Sequence, residues 1–333
     1  MVDFRYHLVS LVSVFLALAV GIILGAGPLQ DSLGSALTGQ VESLRESRDD
    51  LRAQLDDATS ELDGNSKALQ VAGNQLLPGT LKGRNVAIVV LPDANDDGSV
   101  EDELTEAGAT ISGKVALTEA FADSSQKTYR AALASQVKDY IPDLADNASN
   151  EEIIASAVDS VLRVGADDSD AKVLLGSLTT KDNAMMTVSQ DITGAADAIV
   201  MIAPTTLYSE SETGATASPS AEENAEAAAR TDVYVSSFAA IAERGASVAL
   251  GTANADTDLL SAIRARGEGS TVDSEGTVTA ALNVAFAVGN ELTGDHVALG
   301  NQQGAKAALG TRSEAAVSET ASPTPSATAE DAK

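Results

Sequence analysis

The feature that most constrains this chain is an uncharged apolar stretch near its N-terminus. Residues 8–26 read LVSLVSVFLALAVGIILGA and contain no charged side chain. A helix of that length spans about 28 Å, close to the thickness of the hydrocarbon core of a bilayer. The stretch is longer than the apolar core of a cleaved signal peptide, and Gly27-Pro28 is a poor cleavage site. The sequence therefore predicts an uncleaved transmembrane signal anchor over residues 8–27.

Very few charges set the orientation of this anchor. Arg5 precedes the apolar stretch, and the next Lys or Arg is Arg45. Because positive charge favours the cytoplasmic side, residues 1–7 are expected to form a cytoplasmic stub at the inner (plasma) membrane, with the rest of the chain in the periplasm or envelope space. Ala17, Gly21 and Gly25 recur every four residues, a spacing that lets two membrane helices approach closely but that also arises by chance in such spans.

A heptad pattern follows the anchor, and it predicts a coiled coil over residues 33–77. Gly27-Pro28 is expected to break the helix before the coiled coil, and Pro78-Gly79 to end it. A single amphipathic helix lying on a neighbouring domain is the alternative. Two polar residues in the seam, Arg48 and Asn65, weaken pairing with a second copy and indicate a helix that opens or takes another partner. The predicted seam consists of Leu37, Val41, Leu44, Arg48, Leu51, Leu55, Ala58, Leu62, Asn65, Leu69, Ala72 and Leu76.

Beyond residue 78 the pattern is that of an α/β domain. Apolar runs over 85–91 and 198–203 are typical of strands buried on both faces, and further strands are predicted over 109–115, 247–251 and 270–273. Helices are predicted over 100–107, 131–140, 151–164, 171–178, 225–244, 257–266 and 276–291. This alternation predicts a mostly parallel, three-layer α/β domain over 83–300. Residues 209–226 are expected to form a mobile surface loop and residues 311–333 a disordered tail.

Composition excludes several classes of function. The chain has 49 acidic and 21 basic residues, and its net charge of −28 repels nucleic acid. It has no cysteine, which excludes disulfides, thiol nucleophiles and Cys-ligated metal sites. Two His and four Met leave few soft ligands, so the sequence predicts no cofactor and no copper site.

The loop after the first predicted strand is the best candidate for chemistry. Asp93, Asn95, Asp97 and Gly98 match the first half of a calcium-binding loop, but the twelfth position is Leu104 rather than an acidic residue. The loop is therefore a weak calcium candidate, and the alternative is an acidic helix N-terminus stabilised by the helix dipole. Its carboxylates would repel a phosphate group, which argues against a nucleotide site.

Nucleophilic catalysis finds little support in the sequence. His296 follows Asp295, but no G-x-S-x-G motif supplies a serine nucleophile. We therefore expect that the protein is not an enzyme.

Several segments resemble the actinobacterial MctB/SteB family. They are DFRYHLVSLVSVFLALAVGIILGAG, GTLKGRNVAIVVLPDA, EAGATISGKVALTEAF and STVDSEGTVTAALNVAFAV, and the likeness covers most of residues 3–295. The family has two competing descriptions. One is an outer-membrane copper channel, and the other is a membrane-anchored partner of SteA in septal peptidoglycan splitting and cell separation.

The residues favour the second description, because a membrane barrel needs alternating strands and closed edges, and the predicted strands are buried and separated by helices. The resemblance then implies a non-catalytic scaffold, and with the predicted coiled coil we expect a homodimer. Phe4, Arg5, Tyr6 and His7 and the anchor would contact a SteA-like membrane partner, while the coiled coil or the domain would regulate a peptidoglycan hydrolase. MctB-like copper transport is the alternative, and an envelope enzyme using the loop at 93–97 is the second alternative.

Overall fold

The computed structural model describes residues 4–181, 183–205 and 220–313, and only the backbone of residues 24–38. The chain divides into two compact units, residues 1–65 and residues 66–333. A single helix, α1 (Phe4–Leu76), contributes residues to both units and contains 73 residues.

In the first unit, α1 continues through Gly27 and Pro28, so the predicted break at this position is wrong. A proline inside a helix costs about 3 kcal/mol, because it removes one backbone hydrogen bond and crowds the preceding turn. The segment Phe4–Ile23 has 20 residues, a mean hydropathy of 2.3 and no buried residues, and it is a candidate membrane span. It starts before the predicted residue 8.

The described residues of the second unit contain seven strands, and their sheet confirms the predicted fold class. The strands are β1 (Asn85–Val90), β2 (Thr110–Leu117), β3 (Met186–Gln190), β4 (Ala198–Ile202), β5 (Ser247–Leu250), β6 (Ser270–Val272) and β7 (Ala298–Leu299). Their order is β3-β2-β1-β4-β5-β6-β7. All neighbouring strands are parallel except β2 and β3, which pair antiparallel. The order reverses at β1, since β2 lies on one side of it and β4 to β6 follow on the other.

Helices cover both faces of the sheet. They are α2 (Ser99–Glu106), α3 (Lys127–Val137), α4 (Asn150–Val164), α5 (Ser169–Leu178), α6 (Ala221–Ala242), α7 (Leu259–Arg266) and α8 (Val278–Glu291). Alternate residues of β1 point to different cores: Ala87 and Val89 pack in the core formed with α3 to α7, while Val86 and Ile88 pack in the core formed with α2 and α8. This alternation confirms three layers.

Two strands and several helix starts differ from the sequence-based expectation, and the largest shifts are at α3, which begins at Lys127 rather than 131, and at α6. Strand β3 has only its first residue buried and β7 has only two residues, so neither produces an apolar run. Helix α6 starts at Ala221, so residues 221–226 are helical rather than part of a loop. A capping box explains this start, because Ser220 Oγ accepts from the Glu223 amide and the Glu223 carboxylate accepts from the Ser220 amide at 2.7 Å. Residues 209–219 of the predicted loop and 314–333 of the predicted tail lie outside the described residues.

Within the second unit, the last turns of α1 pack against the domain. Leu69, a predicted seam residue, packs against the core formed with α2 and α8, and Leu77 is fully buried in it. Gly73 is pressed against the side chain of Leu282 on α8, where a Cβ would clash, so this glycine permits close packing. The Gln70 side-chain amide donates to Glu103 Oε1 on α2 at 2.8 Å. These residues therefore serve the domain, while the seam residues Ala72 and Leu76 are exposed.

Glu103 makes this packing sensitive to pH. Burial raises the pKa of Glu103 above its ordinary value of 4.5, and its Oε2 atom is buried without a hydrogen-bond partner in the described part of the chain. Because the folded state binds the proton more tightly than the unfolded state, Glu103 destabilises the protein increasingly as pH rises above that ordinary value.

We expect Glu103→Gln to raise the melting temperature of the full chain in detergent at about pH 8, because it removes the buried charge and keeps an oxygen for Gln70. The gain should shrink towards about pH 4, where the wild-type carboxyl takes up a proton. Circular dichroism during heating measures the melting temperature of the variant and of the wild type at each pH. Asp146→Asn, at an exposed residue, is the control. A pH-independent loss of stability in Glu103→Gln would contradict this explanation.

Candidate functional site

The first candidate surface is the apolar part of α1, whose side chains are exposed. Large apolar residues between Leu8 and Ile23 are 47–74% exposed, and Phe4 and Tyr6 are each 80% exposed. Water disfavours such a surface, whereas a bilayer accepts it. The predicted membrane-partner residues Phe4, Arg5, Tyr6, His7, Ala17 and Gly21 are all on this helix and exposed, and the side-chain position of Gly25 lies outside the described part.

The second candidate surface is the heptad seam that follows. Val41 is 44% exposed, and Leu44, Leu51, Leu55 and Leu62 are 65–69% exposed. These residues are therefore available to a second helix. Arg48 is also exposed, and its guanidinium pairs with Asp49 of the same helix at 2.7 Å. The side chain of Leu37 lies outside the described residues.

The acidic loop after β1 forms ion pairs within the domain. Lys114 on β2 pairs with Asp96 at 2.5 Å and with Glu101 of α2, and its side chain is only 12% exposed. Burial alone would lower the pKa of Lys114, but the hydrogen bonds to Asp96 and Glu101 outweigh it and raise that pKa. Two carboxylates of this region therefore neutralise a largely buried lysine side chain.

The predicted calcium ligands do not share a partner. Asp97 accepts from the Ser99 amide at 3.0 Å, and hydrogen bonding to Ser99 lowers the pKa of Asp97. The Asn95 amide donates to Glu275 Oε1 at 3.0 Å. Asp93 lines a crevice beside Tyr234. Within residues 4–181, 183–205 and 220–313, no group of three or more His, Cys, Asp or Glu side chains could hold a metal ion.

Glu275 is a half-buried acid at the same edge of the sheet. It follows β6, and besides the Asn95 amide it accepts from Thr205 Oγ1 at 3.3 Å. Burial raises the pKa of Glu275. It links the loops that follow β1, β4 and β6, which indicates a positioning role for Glu275 at this edge.

His296 pairs with a different acid from the one adjacent in sequence. Its Nδ1 atom lies 2.8 Å from Glu291 Oε1 at the end of α8, and the Glu291 side chain is 3% exposed. His296 lines a groove of about 370 Å³ together with Asp256, Ser261 and Lys306. The structure gives no hydrogen bond from His296 to a serine among the described residues.

Sequence reasoning missed Lys114, Glu275 and Tyr234. Lys114 carries a local signal, since it is the only Lys or Arg between Arg84 and Lys127 and stands among many acids. Glu275 and Tyr234 carry no such signal, because their neighbours at the sheet edge come from distant parts of the chain.

Comparison with known proteins identifies the family of this chain. Residues 1–309 match the family described as "Copper transport outer membrane protein, MctB". The chain belongs to the MctB family. Proteins named "Copper transporter MctB" from Mycobacterium tuberculosis (strain ATCC 25618 / H37Rv), Mycobacterium bovis (strain ATCC BAA-935 / AF2122/97) and Mycobacterium leprae (strain TN) are each 35% identical to it over 133 residues. These alignments cover 37% of this chain and 40% of each relative.

The comparisons confirm the resemblance to the MctB family. The names of the family and of its mycobacterial members favour the copper-transport alternative over the cell-separation role expected from the sequence. Since the aligned region spans less than half of each curated relative, activity and partners are matters for proposal.

The seam makes a prediction about Arg48. In a parallel pair of helices two Arg48 side chains would meet at one core position, so we expect Arg48→Leu to lower the dissociation constant of a dimer roughly tenfold. Analytical ultracentrifugation of the full chain in detergent measures this change. Lys67→Leu, an exposed cation that lies off the seam on the same helix, is the matched control. Unchanged association in Arg48→Leu would show that residues 41–62 do not pair through this seam.

Proposed function

We propose that this MctB family member is a membrane-anchored protein that serves copper handling in the cell envelope through contacts with other molecules. The observation that carries this proposal is helix α1, with an exposed apolar span followed by an exposed heptad seam. The family name and the names of the mycobacterial relatives supply the copper process.

The geometry favours contacts over conduction by one copy. The described residues contain one helix long and apolar enough to cross a membrane, and a single helix encloses no polar path. The sheet of the second unit has helices on both faces and runs from β3 at one end to β7 at the other without closing on itself, unlike a membrane barrel. Copper would therefore cross through a partner or through an assembly of several copies.

We place the α/β domain in the periplasm or envelope space, on the basis of the charges that flank the span. Arg5 lies at the N-terminal end of the candidate span, ahead of its long uncharged stretch, and no Lys or Arg follows it before Arg45. We therefore expect this end of the chain to stay in the cytoplasm. In this proposal the domain is not catalytic and presents its surface to partners in the envelope. The acidic loop at 93–97 then serves to form ion pairs within the domain.

A homodimer follows from the same helix. The exposed leucines between residues 44 and 62 fit a second copy. Anchoring two copies in one membrane raises their effective concentration without any new contact. Ala17, Gly21 and Gly25 would let the two spans approach closely.

A second candidate function is control of cell separation with a SteA-like partner and a peptidoglycan hydrolase. Arg48 and Asn65 in the seam favour it, because these polar residues weaken self-pairing and leave room for a different helix. The comparisons do not support this candidate, and it rests on the seam and on the resemblance noted in the sequence.

Deleting the gene tests both candidates. We expect the deletion strain to lose copper tolerance and to retain more copper than the wild type, measured by growth on copper and by elemental analysis. Wild-type chain and Leu16→Met should restore tolerance, whereas Leu16→Asp should not, because a charge at the centre of the span costs about 2.5–3.5 kcal/mol on insertion. Unchanged copper tolerance would overturn the copper proposal, and chains of unseparated cells in that strain would support the second candidate.

A further inference from the structure

A small crevice opens at the carboxyl end of the sheet. It is lined by Pro92 and Asp93 after β1, Glu119 after β2, and Arg230 and Tyr234 on α6, and its volume is about 20 Å³. Space of this size holds one water molecule or a group of similar dimensions. Ligands of open α/β sheets bind at this edge, beside the strand where the order reverses, which here is β1.

Tyr234 distinguishes this crevice from an ordinary acidic surface. Its side chain is 3% exposed, and its ring stacks on Phe121 with centroids 6.2 Å apart and planes 5° apart. Burial raises the pKa of Tyr234, so its hydroxyl is neutral. Buried tyrosine hydroxyls normally have a hydrogen-bond partner, yet Tyr234 has none in the described part of the chain. The hydroxyl is therefore free to bind a ligand in the crevice.

Asp93 and Glu119 give the crevice its negative charge. Both residues are exposed, and neither forms an ion pair with the residues that the structure describes. Both carboxylates line the same crevice as Tyr234. The three groups can thus act on one ligand.

The two guanidinium groups near Tyr234 have acidic partners of their own. Arg230 pairs with Glu226 at 3.5 Å, one turn earlier on α6. Arg130 pairs with Glu151 at 3.6 Å and donates to the carbonyl oxygens of Ala120 and Asp123. Arg230 lines the crevice itself, and Glu226 partly neutralises its charge there. The two carboxylates of Asp93 and Glu119 therefore outweigh it and make the crevice attractive to a cation.

We propose that this crevice binds a primary ammonium group. Such a group has three N–H donors, and the crevice presents three acceptors in the carboxylates of Asp93 and Glu119 and the hydroxyl of Tyr234. An ammonium is compact, whereas a guanidinium is a wider planar fork and Ca²⁺ requires six to eight oxygen ligands. A lysine side chain of a partner protein and a free alkylamine both present this group.

Fluorine NMR of the full chain in detergent, labelled with 3-fluorotyrosine, tests the proposal. The chain has only five Tyr, and the resonance missing in Tyr234→Phe assigns the signal of Tyr234. Titration with n-butylamine at neutral pH should shift that resonance saturably. Asp93→Asn and Glu119→Gln should each weaken binding about tenfold or more, because each removes a charge-assisted hydrogen bond. Asparagine suits position 93, where φ is 61°, since it tolerates the left-handed region.

Controls separate this site from general attraction of cations. Asp146→Asn removes the same charge from an exposed loop and should leave the affinity unchanged. The absence of a saturable shift with n-butylamine, an equal response to n-butylguanidine or calcium chloride, or unchanged affinity in Glu119→Gln would overturn the proposal. The peptide acetyl-Gly-Lys-Gly-amide distinguishes the two sources: tighter binding than n-butylamine assigns the site to a protein lysine, and equal or weaker binding assigns it to a free amine.

Discussion

The apolar surface of helix α1 is the constraint on which the rest of this protein depends. The helix exposes large apolar side chains over Phe4–Ile23, and it exposes them again at spaced positions from Val41 to Leu62. Burying each such side chain contributes about 1.5–3 kcal/mol of free energy, so we expect other molecules to bury both stretches. A bilayer covers the first stretch, and in our account a second helix covers the other. The end of the same helix packs on the α/β domain through Leu69 and Gly73, and Leu77, which follows it, is buried there.

Ion pairs inside the domain use many of its few cations. Asp159 is fully buried and pairs with Arg163 and Arg244 at 2.7 Å each, and Arg264 pairs with the buried Asp273 at 3.2 Å. Lys114 is likewise held by acids. With 21 basic against 49 acidic residues in the chain, this use of cations leaves an acidic surface that attracts positively charged partners. An ammonium-binding crevice is consistent with such a surface.

Local sequence signals predicted the features that depend on local physics. Continuous apolar runs predicted β1 and β4, and the heptads predicted most of α1, because burial on both faces and helical periodicity are visible in a short window. Strand β3 escaped prediction, since an edge strand with one buried residue has no such run. The helix through Pro28 was missed for the opposite reason, because a strong local breaker was overridden by the long helical context.

The site residues were harder to predict, because their contacts are made in three dimensions. Asp93, Asn95 and Asp97 stand together in sequence, yet they bind or face different groups, while Glu275 and Tyr234 approach them from distant segments. His296 likewise pairs with Glu291 rather than with the adjacent Asp295. Spacing along the chain therefore identified an acidic edge of the sheet but not the partners of each acid.

Cross-linking in membranes tests most directly whether α1 pairs through its exposed seam. The chain has no cysteine, so Leu44→Cys places a single thiol in the seam, and Glu46→Cys places one off the seam, half a turn further along the helix. Two thiols can form a disulfide only when their Cα atoms lie within about 7 Å of each other. After mild oxidation of native membranes, our account predicts a disulfide-linked dimer for Leu44→Cys and monomer for Glu46→Cys. Monomer for Leu44→Cys, or equal cross-linking of the two variants, would contradict it.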